Sequence, residues 1–337
     1  MPVGKLALDI LEKVVLKKLG ADDRRVLVGP GIGIDAAVID FGDEVLVVHS
    51  DPITAAIEYI GWLSIHVASN DVAVCGARPR WALTVLMLPS TADNTVLEKI
   101  VDQIDRAAKE LGISIVGGHT EYTPELSRPI VVATVMGTAP RNRFVTAAGA
   151  RPGDVVVIVK PIAMEGTAIV ASDFASLLEE KGVDKNVIAR CRKLIERISV
   201  VREALALAEC GASAMHDPTE GGIASGIAEI AYASRVEIVL YEDKLPILPE
   251  TKIVCETLGI DPLKLLSSGT LIATIPRNRL DEAVRVLDSL KVEYSIAGEV
   301  RHGFGAKIVR RSGDIEIVPH NIVDEIYKLW SLAGARS

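Results

Sequence analysis

The sequence predicts an α+β protein of two domains, and three observations support this. Its 337 residues are too many for one ordinary hydrophobic core. Strand-like apolar runs and segments of helical periodicity are mixed along both halves, which is typical of α+β folds. The stretch TAAGARPGD, which begins at Thr146, is small, polar and rich in turn-forming residues. We therefore predict an N-terminal domain over residues 1–148 and a C-terminal domain over residues 149–337.

The first half contains three helical segments and five strand-like runs. Apolar residues at helical spacing predict helices over residues 4–19, 55–74 and 95–111, each with a glycine within two residues of its end. The predicted strands are AAVID, VLVVHS, WALTVLML, ISIV and PIVVATVMG. In the second half, VVVIVK predicts a strand, AKIVRRSGDIEIV predicts a hairpin, and residues 321–332 predict a final helix.

Composition and charge exclude several classes of protein. The net charge of −8 argues against nucleic-acid binding, which depends on clustered lysine and arginine. No apolar run reaches the roughly 18 residues of a membrane span, so we expect no membrane partner. Acidic residues interrupt the apolar N-terminal stretch, unlike a secretory signal, and we expect a cytoplasmic protein. The four cysteines form no CxxC pair, which favours buried, reduced thiols over a zinc site.

Four aspartates lie at the ends or in the interior of apolar elements, where a lone carboxylate is costly to bury. They are Asp35, Asp51, Asp71 and Asp217. Two carboxylates about 4 Å apart repel by roughly 4 kcal/mol at an effective dielectric near 20, so converging aspartates need a cation. Oxygen ligands without histidine or cysteine favour Mg²⁺, which usually brings nucleotide phosphates with it. If these side chains converge, they form a Mg²⁺ site.

The motif AMHDPTEGGIASGIAEIA, residues 214–231, allows two interpretations of Asp217. As a helix N-cap, it would be followed by Pro218 at the first helical position and Glu220 at the third. As a metal ligand, it would join the other three aspartates. The two roles are compatible, because one carboxylate oxygen can cap the helix while the other ligates.

Glycine-rich segments supply candidate contacts for phosphate oxygens. The segment VGPGIG, which ends at Gly33, and the pair Gly117 and Gly118 could bring backbone N–H groups close to a phosphate. The phosphate-loop signature with its terminal Lys-Ser/Thr is absent from the sequence. Lys5 could reach a phosphate from the N-terminal segment, or it could be a solvated surface lysine.

The order of five motifs resembles the aminoimidazole-ribonucleotide synthetase superfamily. The motifs are GIDAAVID, HSDPI, SNDVAVCGARP, GGHTEYT and MHDPTEGGIASGIAEIA, and they are spread over nearly the whole chain. Members of this superfamily include the purine enzyme PurM, thiamine-monophosphate kinase, selenophosphate synthetase and the hydrogenase-maturation protein HypE. By length and overall pattern, the chain is most similar to the HypE type.

The resemblance implies a PurM-like fold and the use of ATP with Mg²⁺. The N-terminal sheet would pair across a homodimer into a β-barrel, and the C-terminal domain would hold a mixed sheet with flanking helices. Asp35, Asp51, Asp71 and Asp217 fall on the family's metal-binding aspartates. The residues predicted to contact the nucleotide are Lys5, Gly33, Asn70, Gly117, Gly118 and Thr120.

The shared chemistry of the superfamily implies transfer of the ATP γ-phosphoryl group to an amide or carbonyl oxygen of a small metabolite. His119 stands where thiamine-monophosphate kinases carry an acid. It could act on the substrate, donate to a phosphate or make a structural hydrogen bond. We take His119 and Asp217 as the candidate catalytic residues. The segments EYTPELSR and PIAMEGTA are expected to line the pocket that selects the acceptor.

Two alternative functions stay open. The chain ends in LAGARS and lacks the C-terminal cysteine on which HypE acts, so the HypE reaction is not expected to transfer. One alternative is a HypE-like maturation or regulatory protein that binds nucleotide and a protein partner without its own turnover. The other is a phosphotransferase like thiamine-monophosphate kinase, which the change at His119 makes less favoured.

Overall fold

The fold consists of two mixed β-sheets with helices packed against them, and the predicted α+β class is confirmed. It is seen in a computed structural model that describes residues 4–54 and 56–334. The first sheet lies wholly before residue 141 and the second begins at residue 155. The domain boundary after residue 148 stays a prediction.

Six strands form the N-terminal sheet. They are β1 (Val26–Val28), β2 (Ala37–Asp40), β3 (Glu44–Ile53), β4 (Arg78–Pro89), β5 (Ser114–Thr123) and β6 (Ile130–Pro140). Their spatial order is β1-β2-β3-β6-β4-β5, and β4 with β5 is the parallel pair. β3 and β6 pair over their full lengths, from Glu44 opposite Pro140 to Ile53 opposite Val131. This long pairing fixes the positions of His49 and Asp51 on β3.

Seven strands form the C-terminal sheet. They are β7 (Val155–Val159), β8 (Ala214–His216), β9 (Glu237–Tyr241), β10 (Leu271–Ile275), β11 (Tyr294–Arg301), β12 (Gly305–Val309) and β13 (Ile315–Val318). Their spatial order is β13-β12-β9-β11-β7-β10-β8. Every residue of β7 and β10 is buried, which explains their uninterrupted apolar sequences.

Eleven α-helices occur in the described part of the chain. They are α1 (Leu8–Ile10), α2 (Ile60–Val74), α3 (Asn94–Leu111), α4 (Met164–Asp173), α5 (Ala175–Glu180), α6 (Lys185–Lys193), α7 (Val201–Glu209), α8 (Gly222–Ser234), α9 (Pro249–Leu258), α10 (Leu280–Leu290) and α11 (Ile326–Gly334). α3 closely matches its prediction, because its apolar face packs inward, Asp93 caps its start and Gly112 ends it in the left-handed conformation.

Helix α2 is the central element of the molecule. All of its residues are buried, because it packs against α3, β3 and β6 of the first half and α7 of the second half. The indole Nε1 of Trp62 donates a hydrogen bond to the carbonyl oxygen of Ile195 at 2.9 Å. A polar residue on this helix is therefore held between the two halves of the chain.

Three predicted helices differ from the observed ones. In the segment 4–19, only α1 and a π-helical turn over Leu11–Val15 form, and the side chains of Ile10 and Val14 stay largely exposed. Without a packed apolar face, a short helix is only marginally stable. The helix predicted over residues 55–74 begins at Ile60. The Gln103 side-chain oxygen accepts hydrogen bonds from the N–H groups of Gly61 and Trp62 in its first turn. The predicted first residue of this helix lies outside the described residues.

The final helix also begins later than predicted, at Ile326. The Asp324 carboxylate accepts a hydrogen bond from the Ile326 N–H at 2.8 Å, while Asn321 accepts one from the N–H of Leu8. The residues before Ile326 therefore tie the two ends of the described chain together. All four cysteines are buried and free, as predicted. Within the described residues, the helices are too short or too polar to cross a membrane.

Candidate metal and nucleotide site

Three of the predicted aspartates meet in one place. Asp35 precedes β2, Asp71 lies on α2 and Asp217 follows β8, so the site joins the N-terminal sheet, the central helix and the C-terminal sheet. One carboxylate oxygen from each residue lies within 4.8 Å of those of the other two. All three residues are buried. Residues far apart in the sequence thus form one cluster of negative charge.

A cavity of about 330 Å³, which we call the aspartate cavity, contains this cluster. Its wall also includes Asp51, Lys5 and Gly33. Asp51 lies outside the group of three whose oxygen atoms approach within 4.8 Å. Burial raises the pKa of the Asp51 carboxyl, and the charge of His49 opposes this rise.

The structure tests the helix-cap interpretation of the Asp217 motif. α8 begins at Gly222, and the residue at its N-cap position is Gly221, in the left-handed conformation with φ 79°. The Gly221 N–H donates instead to the carboxylate of Asp324 at 2.7 Å. The prediction that Asp217 caps this helix, with Pro218 and Glu220 in its first turn, is therefore wrong. The chain forms a turn after Pro218, and the helix starts four residues later.

The carboxylate of Asp217 has no hydrogen-bond partner among the described residues. Both of its oxygen atoms are buried, and the residue is only 1% exposed. One carboxylate oxygen of Asp35 is likewise buried and unpartnered. Buried polar atoms without partners are rare in native proteins. Oxygen atoms on opposite sides of a Mg²⁺ ion are about 4.2 Å apart, so a cluster of this size fits a hard divalent cation.

The charge cluster shifts the titration of its members. Burial, together with the charges of Asp35 and Asp51, holds the pKa of Asp71 well above its usual value. Burial and the charges of Asp71 and Asp35 do the same to the pKa of Asp217. Both carboxyl groups therefore bind a proton strongly in the absence of a cation. A divalent cation would replace these protons.

A second set of charges supports the cluster from the C-terminal side. The Nδ1 atom of His216 contacts the Asp35 carboxylate, and its Nε2 atom lies 2.7 Å from the Glu229 carboxylate. Glu229 in turn pairs with the Lys5 ammonium at 3.0 Å. Burial lowers the pKa of His216, but the carboxylates of Asp35 and Glu229 outweigh burial and hold it well above its usual value. A charged imidazolium therefore fixes Asp35 in place.

His49 makes a similar contact from β3. Its Nε2 atom lies 3.3 Å from the Asp71 carboxylate, and its Nδ1 atom contacts the backbone oxygen of Asp35. Sequence reasoning gave no role to His49, His216 or Glu229. The two histidines carry a usable signal, because each lies one or two residues before a predicted metal ligand. Glu229 carries none, since it belongs to the ordinary apolar pattern of α8.

Lys5 and Gly33 lie on the cavity wall, where the sequence predicts nucleotide contacts. The Lys5 ammonium remains half exposed beside its partner Glu229. Gly33 has a left-handed φ of 71°, and a side chain there would place its Cβ 2.5 Å from the backbone oxygen of Glu229. Glycine therefore lets the loop before β2 approach α8. The contacts of these two residues with a nucleotide stay predictions.

Asn70 has a structural role, and its contact with a nucleotide stays a prediction. Its amide donates to the carbonyl oxygen of Ile198 at 2.9 Å, and its carbonyl accepts from the N–H of Val200 at 2.9 Å. The residue is fully buried. Both ends of the side chain are thus occupied in joining α2 to the second half.

The predicted glycine loop is part of the edge strand β5. Its Gly117, Gly118, His119 and Thr120 are exposed and do not line the aspartate cavity of the same chain. A side chain at Gly118 would place its Cβ 1.9 Å from the backbone oxygen of Thr84, so this glycine allows β5 to approach β4. His119 lies 3.1 Å from the Glu121 carboxylate. Within one chain, the geometry therefore gives His119 no contact with the aspartates.

Comparisons with known proteins agree with this architecture. Residues 33–139 match the family described as AIR synthase related protein, N-terminal domain, and residues 151–310 match the corresponding C-terminal domain. A hydrogenase expression/formation protein of Methanocaldococcus jannaschii is 30% identical over 298 residues, with 84% of each chain covered. The carbamoyl dehydratase HypE of Rhodobacter capsulatus is 29% identical over 300 residues, which cover 88% of this chain and 84% of that one.

Two solved structures have the same fold. HypE in a HypE–HypF complex has a TM-score of 0.75 at 26% identity, over 93% of this chain and 99% of that one. The hydrogenase maturation protein HypE in complex with ATP has a TM-score of 0.70 at 22% identity, over 96% of each chain. The likeness extends over both domains and nearly the full length of these proteins. The chain belongs to the AIR synthase-related protein family and has relatives of the HypE type.

Proposed function

We propose that this protein is a cytoplasmic Mg²⁺–ATP-dependent enzyme that transfers the γ-phosphoryl group to an amide or carbonyl oxygen of a small metabolite. The observation that carries the proposal is the buried Asp217 carboxylate, which lacks a hydrogen-bond partner beside Asp35 and Asp71. The ATP-bound HypE of the same fold supports a nucleotide as the second ligand.

In this proposal, Asp35, Asp71 and Asp217 hold Mg²⁺, which would neutralise charge on the triphosphate. Asp51 extends the set of oxygen ligands along the cavity wall. His216 keeps the Asp35 carboxylate oriented toward the centre of the cluster. Lys5 supplies a positive charge at the cavity. These residues position and neutralise the phosphates, which is most of what catalysis of phosphoryl transfer requires.

The proposal predicts that Asp71→Asn strongly weakens Mg²⁺-dependent ATP binding. Replacing a residue that only supports a metal ligand typically lowers metal affinity by about 10–100-fold. Because Asp71 is proposed as a ligand itself, its replacement is expected to weaken binding by roughly 100-fold or more. Calorimetric titration of the purified protein with ATP, with Mg²⁺ and with EDTA, measures this. Asp288→Asn, on the exposed side of α10, is the matched control. A wild-type protein that does not bind Mg²⁺–ATP at millimolar concentrations would overturn the proposed function.

We also propose a homodimer that forms through β5. This edge strand has no strand partner on one side among the described residues, and it exposes Ile115, Val116 and Tyr122. Exposed apolar edge strands are sites where another chain pairs. Pairing of two copies there would place His119 and Thr120 at the interface.

A lysine at Val116 is therefore expected to convert the homodimer into a monomer. The charge would be buried against a second copy, whereas it stays solvated in the separate chain. Light scattering coupled to size-exclusion chromatography measures the mass, and thermal unfolding shows that the monomer is folded. Val101→Lys, at a similarly exposed valine of α3, is the control. A wild-type chain of 36.0 kDa at micromolar concentration would contradict the dimer.

The likeness to HypE in a complex with HypF favours a second candidate function. In this candidate, the protein binds nucleotide and acts with a protein partner, without turnover of its own. It predicts Mg²⁺–ATP binding with no release of ADP in the presence of small-molecule acceptors. Steady, acceptor-dependent ADP release by the isolated protein would exclude it.

A further inference from the structure

The N-terminal segment, residues 4–8, brings Lys5 to the junction of two cavities. One is the aspartate cavity, and the other adjoins it and has a volume of about 410 Å³. Lys5, Asp51 and Thr219 line both of them. A ligand that extends from the aspartate cavity into its neighbour therefore passes the Lys5 side chain.

Polar contacts hold this segment, because apolar packing does little for it. Among the described residues, no regular secondary structure precedes Leu8, and the Leu6 side chain is 45% exposed. The Lys5 N–H donates to the Glu220 carboxylate at 3.0 Å, and the Leu8 N–H donates to the side-chain oxygen of Asn321 at 3.3 Å. The position of Lys5 thus depends on residues that are very distant in the sequence.

Glu220 connects this segment to the last helix, α11. Its Oε2 atom accepts the hydrogen bond from the Lys5 N–H, and its Oε1 atom accepts one from the Tyr327 hydroxyl at 2.7 Å. Gly4 makes room for this arrangement, since it has a φ of 106° and an added Cβ would lie 2.9 Å from the Tyr327 ring. Both carboxylate oxygens of Glu220 are therefore engaged.

Lys5 itself is held at two points by carboxylates. Glu220 binds its backbone N–H, and Glu229 binds its ammonium at 3.0 Å. Glu229 also contacts His216, which in turn contacts Asp35, a proposed metal ligand. Hydrogen bonds to charged groups are stronger than those between neutral groups. Such bonds offset the large loss of conformational freedom when a lysine is fixed at one point of a site.

The loop that contains Glu220 also carries Asp217. Gly221, the next residue, donates its N–H to the Asp324 carboxylate at 2.7 Å. The same carboxylate accepts from the N–H of Ile326 at the start of α11. The loop is therefore fixed against α11 beside Glu220. One short loop thus carries both a proposed metal ligand and the anchor of Lys5.

We propose that Glu220 is a positioning residue for the nucleotide. By holding the backbone of Lys5, it orients the Lys5 ammonium toward a phosphate group beside the metal, and Tyr327 fixes the Glu220 carboxylate for this task. This inference rests on the proposed function, since it takes the aspartate cavity to hold Mg²⁺–ATP. It predicts an effect opposite to that of charge alone, because removing a carboxylate near an anionic ligand otherwise strengthens binding.

The first test measures Mg²⁺–ATP affinity by calorimetric titration. Glu220→Ala is expected to weaken binding by about tenfold, as is usual for a lost hydrogen bond to a charged group. Glu220→Gln should keep most of the affinity, because its amide can accept from the Lys5 N–H and donate to the Tyr327 oxygen. Tyr327→Phe should weaken binding severalfold. Glu256→Ala, at an exposed glutamate of α9, is the control.

A double-mutant cycle then shows whether Glu220 acts through Lys5. Lys5→Ala removes the ammonium but keeps the backbone N–H, and it is expected to weaken Mg²⁺–ATP binding by about tenfold or more. In that background, Glu220→Ala should have little further effect, whereas two independent residues would give additive losses. Mn²⁺ binding without nucleotide, measured by electron paramagnetic resonance, should be the same in all these variants, since each keeps every aspartate.

The anchor itself is measured without nucleotide. Hydrogen exchange of the N-terminal peptide, followed by mass spectrometry, is expected to be about tenfold faster in Glu220→Ala than in the wild type, because the Lys5 N–H loses its acceptor. Glu220→Gln should exchange nearly as slowly as the wild type. Thermal unfolding shows that each variant is folded.

Four results would overturn this inference. They are unchanged or tighter Mg²⁺–ATP binding in Glu220→Ala, an additive loss in the double variant, an equal loss in Glu220→Gln, or weaker Mn²⁺ binding in Glu220→Ala. Each leaves the proposed function standing, because the wild type still binds Mg²⁺–ATP. A wild type without Mg²⁺–ATP binding would instead overturn the proposed function and with it the role of Lys5 toward a phosphate, while hydrogen exchange still measures the anchor at Glu220.

Discussion

Replacing Asp217 with asparagine is expected to remove Mg²⁺-dependent ATP binding and to stabilise the metal-free protein. Because burial and the charges of Asp71 and Asp35 raise the pKa of Asp217, the folded state binds its proton more tightly than the unfolded state does. The folded state therefore loses stability as pH rises above about 4, the usual pKa of an aspartate. Asparagine keeps the shape of the side chain but never carries this charge.

The expected gain in the free energy of unfolding is about 1–3 kcal/mol at pH 8. Asparagine removes the buried, repelled charge, but its buried amide without partners offsets part of this gain. The gain should shrink toward pH 5, where the aspartate of the wild type is closer to protonation in both states. Urea unfolding in EDTA at both pH values measures this difference.

Calorimetric titration with Mg²⁺–ATP completes the experiment. Asp105→Asn is the control, because the Asp105 carboxylate lies on the exposed face of α3, 2.7 Å from Lys109. Loss of that pair is expected to cost about 0.3–0.5 kcal/mol and to leave nucleotide affinity unchanged. An Asp217→Asn variant that binds Mg²⁺–ATP like the wild type would show that this residue is not a ligand.

The Asp217 motif also shows why local sequence rules did not predict the start of α8. Asp, Pro and Glu at this spacing satisfy every local rule for a helix start, yet the helix begins at Gly222. The reason is the following Gly221–Gly222 pair, whose left-handed conformations turn the chain before the helix can begin. Asp324, more than a hundred residues away, then binds the N–H of Gly221. A partner so distant in the sequence cannot be found from the motif itself.

Convergence of the aspartates was predictable because it rests on a global argument. In any fold, the charge of a carboxylate inside an apolar element such as α2 has to be balanced by a hydrogen-bond donor, a positive side chain or a cation. The order of the five motifs then indicated the fold that brings Asp35, Asp71 and Asp217 together. The glycine pair in β5 was less informative, because close strand packing and phosphate binding demand the same residue. The structure shows the packing against Thr84 directly.

Replacing His216 with glutamine is expected to lower the free energy of unfolding by about 3–5 kcal/mol, as is usual when one partner of a buried ion pair is removed. The His216 imidazolium contacts Asp35 through one nitrogen and Glu229 through the other. Glutamine can reach only one of these carboxylates. Because Asp35 loses its orienting contact, Mg²⁺–ATP affinity should also fall, by about 10–100-fold.

The pH dependence of this loss has a definite sign. The carboxylates raise the pKa of His216 against the effect of burial, so its contribution is complete below about 6.5 and fades as pH rises through the folded-state value. Burial would raise the pKa of Glu229, but Lys5 and His216 outweigh it and lower the pKa, so its contribution is present above about 4.5. The difference between wild type and His216→Gln is therefore expected to be largest near pH 5–6.

Urea unfolding in EDTA from pH 5 to pH 9 measures this difference, with His302→Gln as the control at an exposed histidine. A constant difference across this range would mean that the histidine is neutral in the folded protein. The contacts with two carboxylates would then be ordinary hydrogen bonds, and no positive charge would lie beside Asp35. A difference that declines as pH rises supports a positive charge on His216 beside Asp35, the proposed metal ligand. Such a charge limits how strongly the empty cluster repels itself and lets the protein fold before a cation arrives.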